Sequence, residues 1–222
     1  MPTSLPTIRP FREPKRVYCA GPLFNEPERR EMEAIAAALR ASGFEPWLPH
    51  ADGLEFAQVL PYLAEAGYEP ASAGQLLHGA IFALDVYQVA LGCGSLVLNI
   101  NGRVPDEGAV SEAAMAWTLG KPLVIYKADA RSKVAGRDNP LVAGLTGFAT
   151  VDKIEAIGEA LIARIAELDL DSEVALRCPS HLHAAACAGA RLWRRLTALG
   201  GRRPAEQVAA AVMEAFGAPA RR

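Results

Sequence analysis

The stretch Ser95-Leu96-Val97-Leu98-Asn99-Ile100-Asn101-Gly102-Arg103-Val104-Pro105-Asp106-Glu107-Gly108-Ala109-Val110-Ser111-Glu112 decides the fold. A β-rich apolar run feeds a polar turn carrying Asp106 and Glu107. Gly108 then opens a small-residue helix reaching Leu119, with Glu112 about one turn into it. Gly120-Lys121-Pro122 stops the helix, and Leu123–Tyr126 is the next strand. A strand returning through a helix to another strand is a parallel β-α-β unit. An acid among Ala113, Ala114, Met115, Ala116 and Trp117 has no solubility role if that helix packs on a sheet. A carboxylate near a helix N-terminus is favoured as the anion, which suits a nucleophile or a clamp for a cationic transition state. Open α/β sheets bind ligands at the C-terminal ends of their strands.

The alternation extends both ways. Arg16–Ala20 is a strand ended by Gly21-Pro22, and a helix runs from Asn25 or Glu26 to Arg40, closed by Ser42-Gly43. Phe44–Leu48 is a second strand. His50 to Gly74 is a long connection with a short helix at Leu54–Leu63, of a length that usually forms a binding loop or lid. A helix follows at Gln75–Ala90. After Tyr126, a polar loop from Lys127 to Asn139 leads to a helix between Thr150 and Glu167. The reading is an α/β fold with a doubly wound parallel sheet, flavodoxin- or Rossmann-like, over residues 16–170. A Pro-rich arm precedes it at 1–15, and a helical extension without strands follows at 171–222, with helices at Pro179–Leu199 and Pro204–Phe216.

Bulk properties exclude several classes. The 222 residues carry a formal charge of −2 and no long basic stripe, so nucleic acid and anionic membranes are not expected partners. No apolar stretch reaches spanning length, and Met1–Lys15, with four prolines, is not a signal peptide. A cytoplasmic location is expected, with Cys19, Cys93, Cys178 and Cys187 as thiols.

The residues leave alternatives open at each candidate. Glu112 and Asp106 border one cleft as a carboxylate pair of the kind glycosyl transfer uses, or Glu112 or Glu107 serves backbone N–H groups in a capping box. Asp85, within Phe82-Ala83-Leu84-Asp85-Val86-Tyr87, is a shielded general acid or an exposed helical acid. Tyr18 orients a carboxylate or simply packs between sheet and helix. Gly21 is a weak phosphate-loop signal, since neither a GxGxxG nor a Walker pattern follows. Cys178, His181, His183 and Cys187 do not meet structural-zinc spacing, and no metal or cofactor is expected. Arg191, Arg194, Arg195, Arg202 and Arg203 form a solvated face or subunit contact. Cys19 lacks a basic partner, and no Ser/His/Asp triad is present.

Taken together, Val17-Tyr18-Cys19-Ala20-Gly21-Pro22-Leu23-Phe24, the helix bearing Asp85, and Asp106-Glu107-Gly108-Ala109-Val110-Ser111-Glu112 resemble the nucleoside 2-deoxyribosyltransferase family over about residues 16–165. The resemblance implies that Glu112 attacks C1′ of a deoxynucleoside and passes the sugar to a second base with retention. It implies Asp85 as the acid/base, Tyr18 as the residue orienting the nucleophile, and Asp106 as the group holding a deoxyribose hydroxyl, beside Gly21 and Gly108. Asn139 matches an asparagine that reaches the 5′-hydroxyl in a neighbouring subunit's site, so a homo-oligomer with shared sites is implied. The partners are a deoxynucleoside donor and a nucleobase acceptor. Where the family often has a base-gripping Gln, this chain has Pro49-His50-Ala51-Asp52-Gly53, leaving that role to His50 or Asp52. The same carboxylates would serve a deoxynucleoside or 5′-phosphate N-glycosidase, for which Arg103, Lys127 and Arg131 are phosphate candidates. A non-catalytic nucleotide-sensing module is the reading from another class.

Overall fold

The computed structural model describes residues 7–8, 15–102, 104–129, 138–167, 176–177, 180–201 and 203–217. In chain order the strands are Thr7–Ile8 (β1), Arg16–Ala20 (β2), Glu45–Trp47 (β3), Ser95–Asn99 (β4), Leu123–Tyr126 (β5) and Leu176–Arg177 (β6). The α-helices are Glu26–Ala41 (α1), Pro49–Asp52 (α2), Phe56–Glu65 (α3), Pro70–Tyr87 (α4), Glu107–Thr118 (α5), Pro140–Ala143 (α6), Ile157–Ala166 (α7), Ser180–Ala198 (α8) and Ala205–Phe216 (α9). They gather into two compact units, one holding all six strands with α1, α5, α6 and α7, the other holding α2, α3, α4, α8 and α9.

In the strand-bearing unit, four parallel strands lie in the order β3-β2-β4-β5. The order turns outward on either side of β2 and β4, which makes that pair the switch point of a doubly wound sheet. Side chains alternate across β2. Val17 and Cys19 join Met32, Ile35, Ala36 and Leu39 of α1 and Ile157 and Leu161 of α7 in a buried cluster. Tyr18 points to the opposite face, where α5 lies. That helix buries only Ala109, Ala113 and Ala116, so its axis can approach the sheet closely.

Local chemistry fixes the helix starts. Asn25 caps α1 by accepting from the Glu28 N–H at 3.0 Å, and Glu28 returns the bond to the Asn25 N–H at 3.3 Å, a reciprocal capping box. At the far end, Gly43 takes a φ of +84°, which favours glycine. Near the N-terminal end of β5, the buried Lys121 ammonium donates to the Cys93 carbonyl. Burial pulls its pKa down to about 8.

Three expectations need correction. Leu176–Arg177 is a short strand, paired antiparallel with Thr7–Ile8, in a region read as strandless. The pair draws on backbone bonds that two-residue segments can make without any alternating pattern. Helix α4 begins at Pro70, because proline at the first helical position needs no N–H partner. Val151 does not start a helix: it bridges Tyr126 in parallel, and α7 begins only at Ile157.

In the helical unit, α8 and α9 stand with α3 and α4, so the C-terminal helices share a unit with a central part of the chain. The basic residues are partly internal. Arg203 donates to the Asp52 carbonyl at 2.7 Å and lies 5.1 Å from the Trp193 ring centroid, while Arg195 pairs with Glu214 at 2.8 Å. Arg202 falls outside the described residues. Helices α4 and α8 meet at Gly189, where an added Cβ would lie 1.9 Å from the Ala83 oxygen and 2.5 Å from the Tyr87 Cβ. Gly189→Ala must push the two helices apart and should destabilise the protein by about 1–3 kcal/mol. A thermal melt should show a lowered Tm, and an unchanged Tm would contradict this packing.

Candidate active site

The site is built where β2 and β4 end. Tyr18, fully buried on β2, donates its hydroxyl to Oε1 of Glu112 at 2.5 Å across 94 residues of chain. A bond that short, from a phenol to a carboxylate, is charge-assisted and directional. It holds the Glu112 carboxylate in one orientation over the sheet face. Glu112 is half-buried and bonded to a buried phenol, so it is not a solvated surface acid.

The cap of α5 is Asp106, whose Oδ1 accepts from the Ala109 N–H at 2.6 Å. Gly108 leaves room for this bond, since a Cβ there would lie 3.2 Å from Asp106 Oδ1. Burial raises the Asp106 pKa, the Ala109 N–H opposes the rise, and repulsion from Glu107 and Glu28 adds to it. Asp106 is therefore cap and candidate sugar ligand at once, through different oxygens.

Behind these residues lies an amide network that the sequence reading missed. Asn99, fully buried at the end of β4, donates to Glu31 at 2.9 Å, and Asn101 donates to the other Glu31 oxygen at 2.7 Å. Asn101 Oδ1 accepts from the Ala128 and Asp129 N–H groups at 2.9 and 3.1 Å, and Asp129 accepts from the Gly102 N–H at 3.0 Å. The loops after β4 and β5 are thus tied to each other and to α1. Gly21 fits beneath them only without a side chain, because a Cβ would meet Met32 Sδ at 2.5 Å and Asn99 Cβ at 2.9 Å. The signal was a polar residue, Asn99, closing an otherwise apolar strand.

The remaining candidates are distributed more widely. Asp85 is half-buried on α4, which runs directly into a π-helical turn at Gln88–Gly92. His50 and Asp52 lie on α2, both half-buried. These three belong to the helical unit. Asn139 is exposed and caps α6, accepting from the Leu141 N–H at 2.9 Å. Lys127 is buried, donating to the Ile100 carbonyl at 3.2 Å and pairing with Asp138 at 3.1 Å. Arg103 and Arg131 fall outside the described residues, as does Cys178. Cys19 is buried with its thiol directed at the Val17 carbonyl, on the face away from Tyr18. Among the described residues no three His, Cys, Asp or Glu side chains gather as metal ligands, and no helix is long and apolar enough to cross a membrane.

A carboxylate held by a buried tyrosine at the switch point of a parallel sheet marks a doubly wound α/β protein with a candidate acidic site. Comparison with known families narrows this. The model of the family described as nucleoside 2-deoxyribosyltransferase matches residues 17–146, and the chain belongs to that family. No curated protein matches it. Among solved structures, a conserved protein from Enterococcus faecalis V583 aligns at 20% identity and a TM-score of 0.48, over 68% of this chain and 98% of that one.

The raised Asp106 pKa carries a stability consequence. The folded carboxyl keeps its proton to higher pH than the unfolded chain does, so its contribution is fully present below 3.8 and is lost as pH rises through the folded value. Asp106→Asn keeps the Oδ1 acceptor and removes the charge. Its Tm should gain on that of the wild type as pH rises from below 3.8 to neutrality. A Tm difference independent of pH would contradict the assignment.

Proposed function

We propose that the protein transfers 2-deoxyribose between nucleobases, with Glu112 as nucleophile. The observation that carries this reading is the 2.5 Å bond from the buried Tyr18 hydroxyl to Glu112. It presents a fixed carboxylate oxygen where a sugar carbon can be attacked, and orientation of that kind supplies much of an enzyme's rate. Glu112 Oε bonds to C1′ as the C1′–N bond breaks. The bond's electron pair goes to the base, which takes a proton from Asp85, the acid that the family pattern assigns. A second base then attacks C1′ through nitrogen, displaces Glu112 as the free carboxylate and gives its N–H proton back to Asp85. Two inversions give retention, as in retaining glycosidases.

The surroundings suit a transition state in which the sugar becomes cationic. Burial is the main reason the Asp106 pKa is raised, and Glu107 and Glu28 lie close enough to add to the rise by repulsion; such a negative field stabilises an oxocarbenium ion. One oxygen of Asp106 is taken by the helix cap, and the other is assigned to a sugar hydroxyl. Lys127, the described member of the three phosphate candidates, is neutralised by Asp138, which favours a nucleoside over a 5′-phosphate. The exposure of Asn139 and of Leu141, 84% accessible, supports a homo-oligomer in which this corner serves a neighbour's site.

The test is incubation with a 2′-deoxynucleoside and a different free base, with products separated by chromatography. New deoxynucleoside bearing the added base is expected. Glu112→Gln should lower the rate at least about 10³-fold, the scale seen when a catalytic group is removed. Free deoxyribose irrespective of the added base would replace the transferase reading with a hydrolase. Full activity in Glu112→Gln would overturn the mechanism.

A further inference from the structure

Trp47 closes β3 with a donor that nothing satisfies. The side chain is 3% exposed, and its indole N–H is buried without a hydrogen-bond partner among the described residues. Buried N–H groups are almost always paired, and an unpaired one is a standing cost to the fold. The β2–β3 register sets Trp47 opposite Tyr18. Their ring centroids are 5.0 Å apart with planes inclined at 31°, so both rings stand on the face that carries α5. The Tyr18 hydroxyl ends on Glu112, so Trp47 packs against the residue that holds the proposed nucleophile. Phenylalanine at 47 would offer Tyr18 the same ring contact and leave no donor stranded. What tryptophan adds is the N–H.

We propose that the Trp47 indole N–H is a substrate contact, donating to an acceptor atom of the bound 2′-deoxynucleoside. This rests on Glu112 being the site of sugar attack, since that places the nucleoside beside Tyr18. A nucleoside offers two kinds of acceptor, the carbonyl or ring-nitrogen atoms of the base and the oxygens of the sugar. Either would satisfy the donor when the nucleoside is bound. Because the contact is made to bound substrate and not to a reacting atom, it acts on affinity.

The experiment uses the full chain carrying Glu112→Gln, so that nucleoside binds without turnover, and reads the indole ¹H–¹⁵N resonances of Trp47, Trp117 and Trp193. The Trp47 signal is assigned by elimination with Trp117→Phe and Trp193→Phe. Adding a 2′-deoxynucleoside should move the Trp47 indole proton downfield. A matching shift with free base alone identifies a base acceptor, and a shift only with the nucleoside identifies a sugar oxygen. In the otherwise wild-type protein, Trp47→Phe should raise KM about tenfold, the loss of one hydrogen bond, with kcat little changed. An unmoved Trp47 indole while the wild type still transfers deoxyribose would overturn this contact alone. If the wild type neither binds nor converts a deoxynucleoside, the Glu112 reading fails and this contact falls with it.

Discussion

The hydrogen bond between Tyr18 and Glu112 is the constraint on which the site depends. It joins the central strand β2 to helix α5 across one face of the sheet. It requires α5 to lie close, which the buried alanines 109, 113 and 116 permit. It also requires a tyrosine at an inward position of a strand whose alternate residues, Val17 and Cys19, serve the opposite core. A phenol without its carboxylate, or a carboxylate without its phenol, would leave a polar atom poorly satisfied in this half-buried setting. Fold and site are therefore stabilised by the same contact.

Around it, the loops are held by amides more than by apolar packing. Glu31 gathers Asn99 and Asn101, and Asn101 in turn holds the backbone after β5. This arrangement lets the chain leave the strands, turn, and begin α5 at a defined angle with Asp106 as its cap. A site on loops gains precision when supporting side chains are themselves bonded. Here the support comes from α1, an element that carries none of the proposed reacting groups. The glycine at position 21 belongs to the same support, since Met32 and Asn99 occupy the space a side chain would need.

Much of this was legible in the sequence, for physical reasons that differ by element. The parallel sheet follows from apolar strands alternating with helices, and β4, α5 and β5 fall within a residue or so of where their stop signals place them. Tyr18 and Glu112 were readable as partners only through the family resemblance, because 94 residues separate them and no local rule links them. The cap of α5 is Asp106 itself, which accepts from the Ala109 N–H, so of the two open readings of Glu112 the capping box is not the one the helix start uses. The pairing of Leu176–Arg177 with Thr7–Ile8 is long-range backbone bonding, invisible to composition. Nor does any local pattern announce that Gly189 is the contact point of two helices. The stranded N–H of Trp47 is likewise a property of tertiary burial, since a tryptophan ending a strand reads only as an apolar residue.

The central claim is that Glu112 forms a bond to the sugar. Rapid acid quenching of the protein with a 2′-deoxynucleoside and no added base, followed by intact-mass measurement and peptide mapping, tests it directly. The account predicts a fraction of the chains heavier by one deoxyribosyl group, with the modification on the peptide containing Glu112 and lost when that residue is Gln. Turnover of the nucleoside with an unmodified protein at every quench time, or a modification mapping elsewhere, would contradict it.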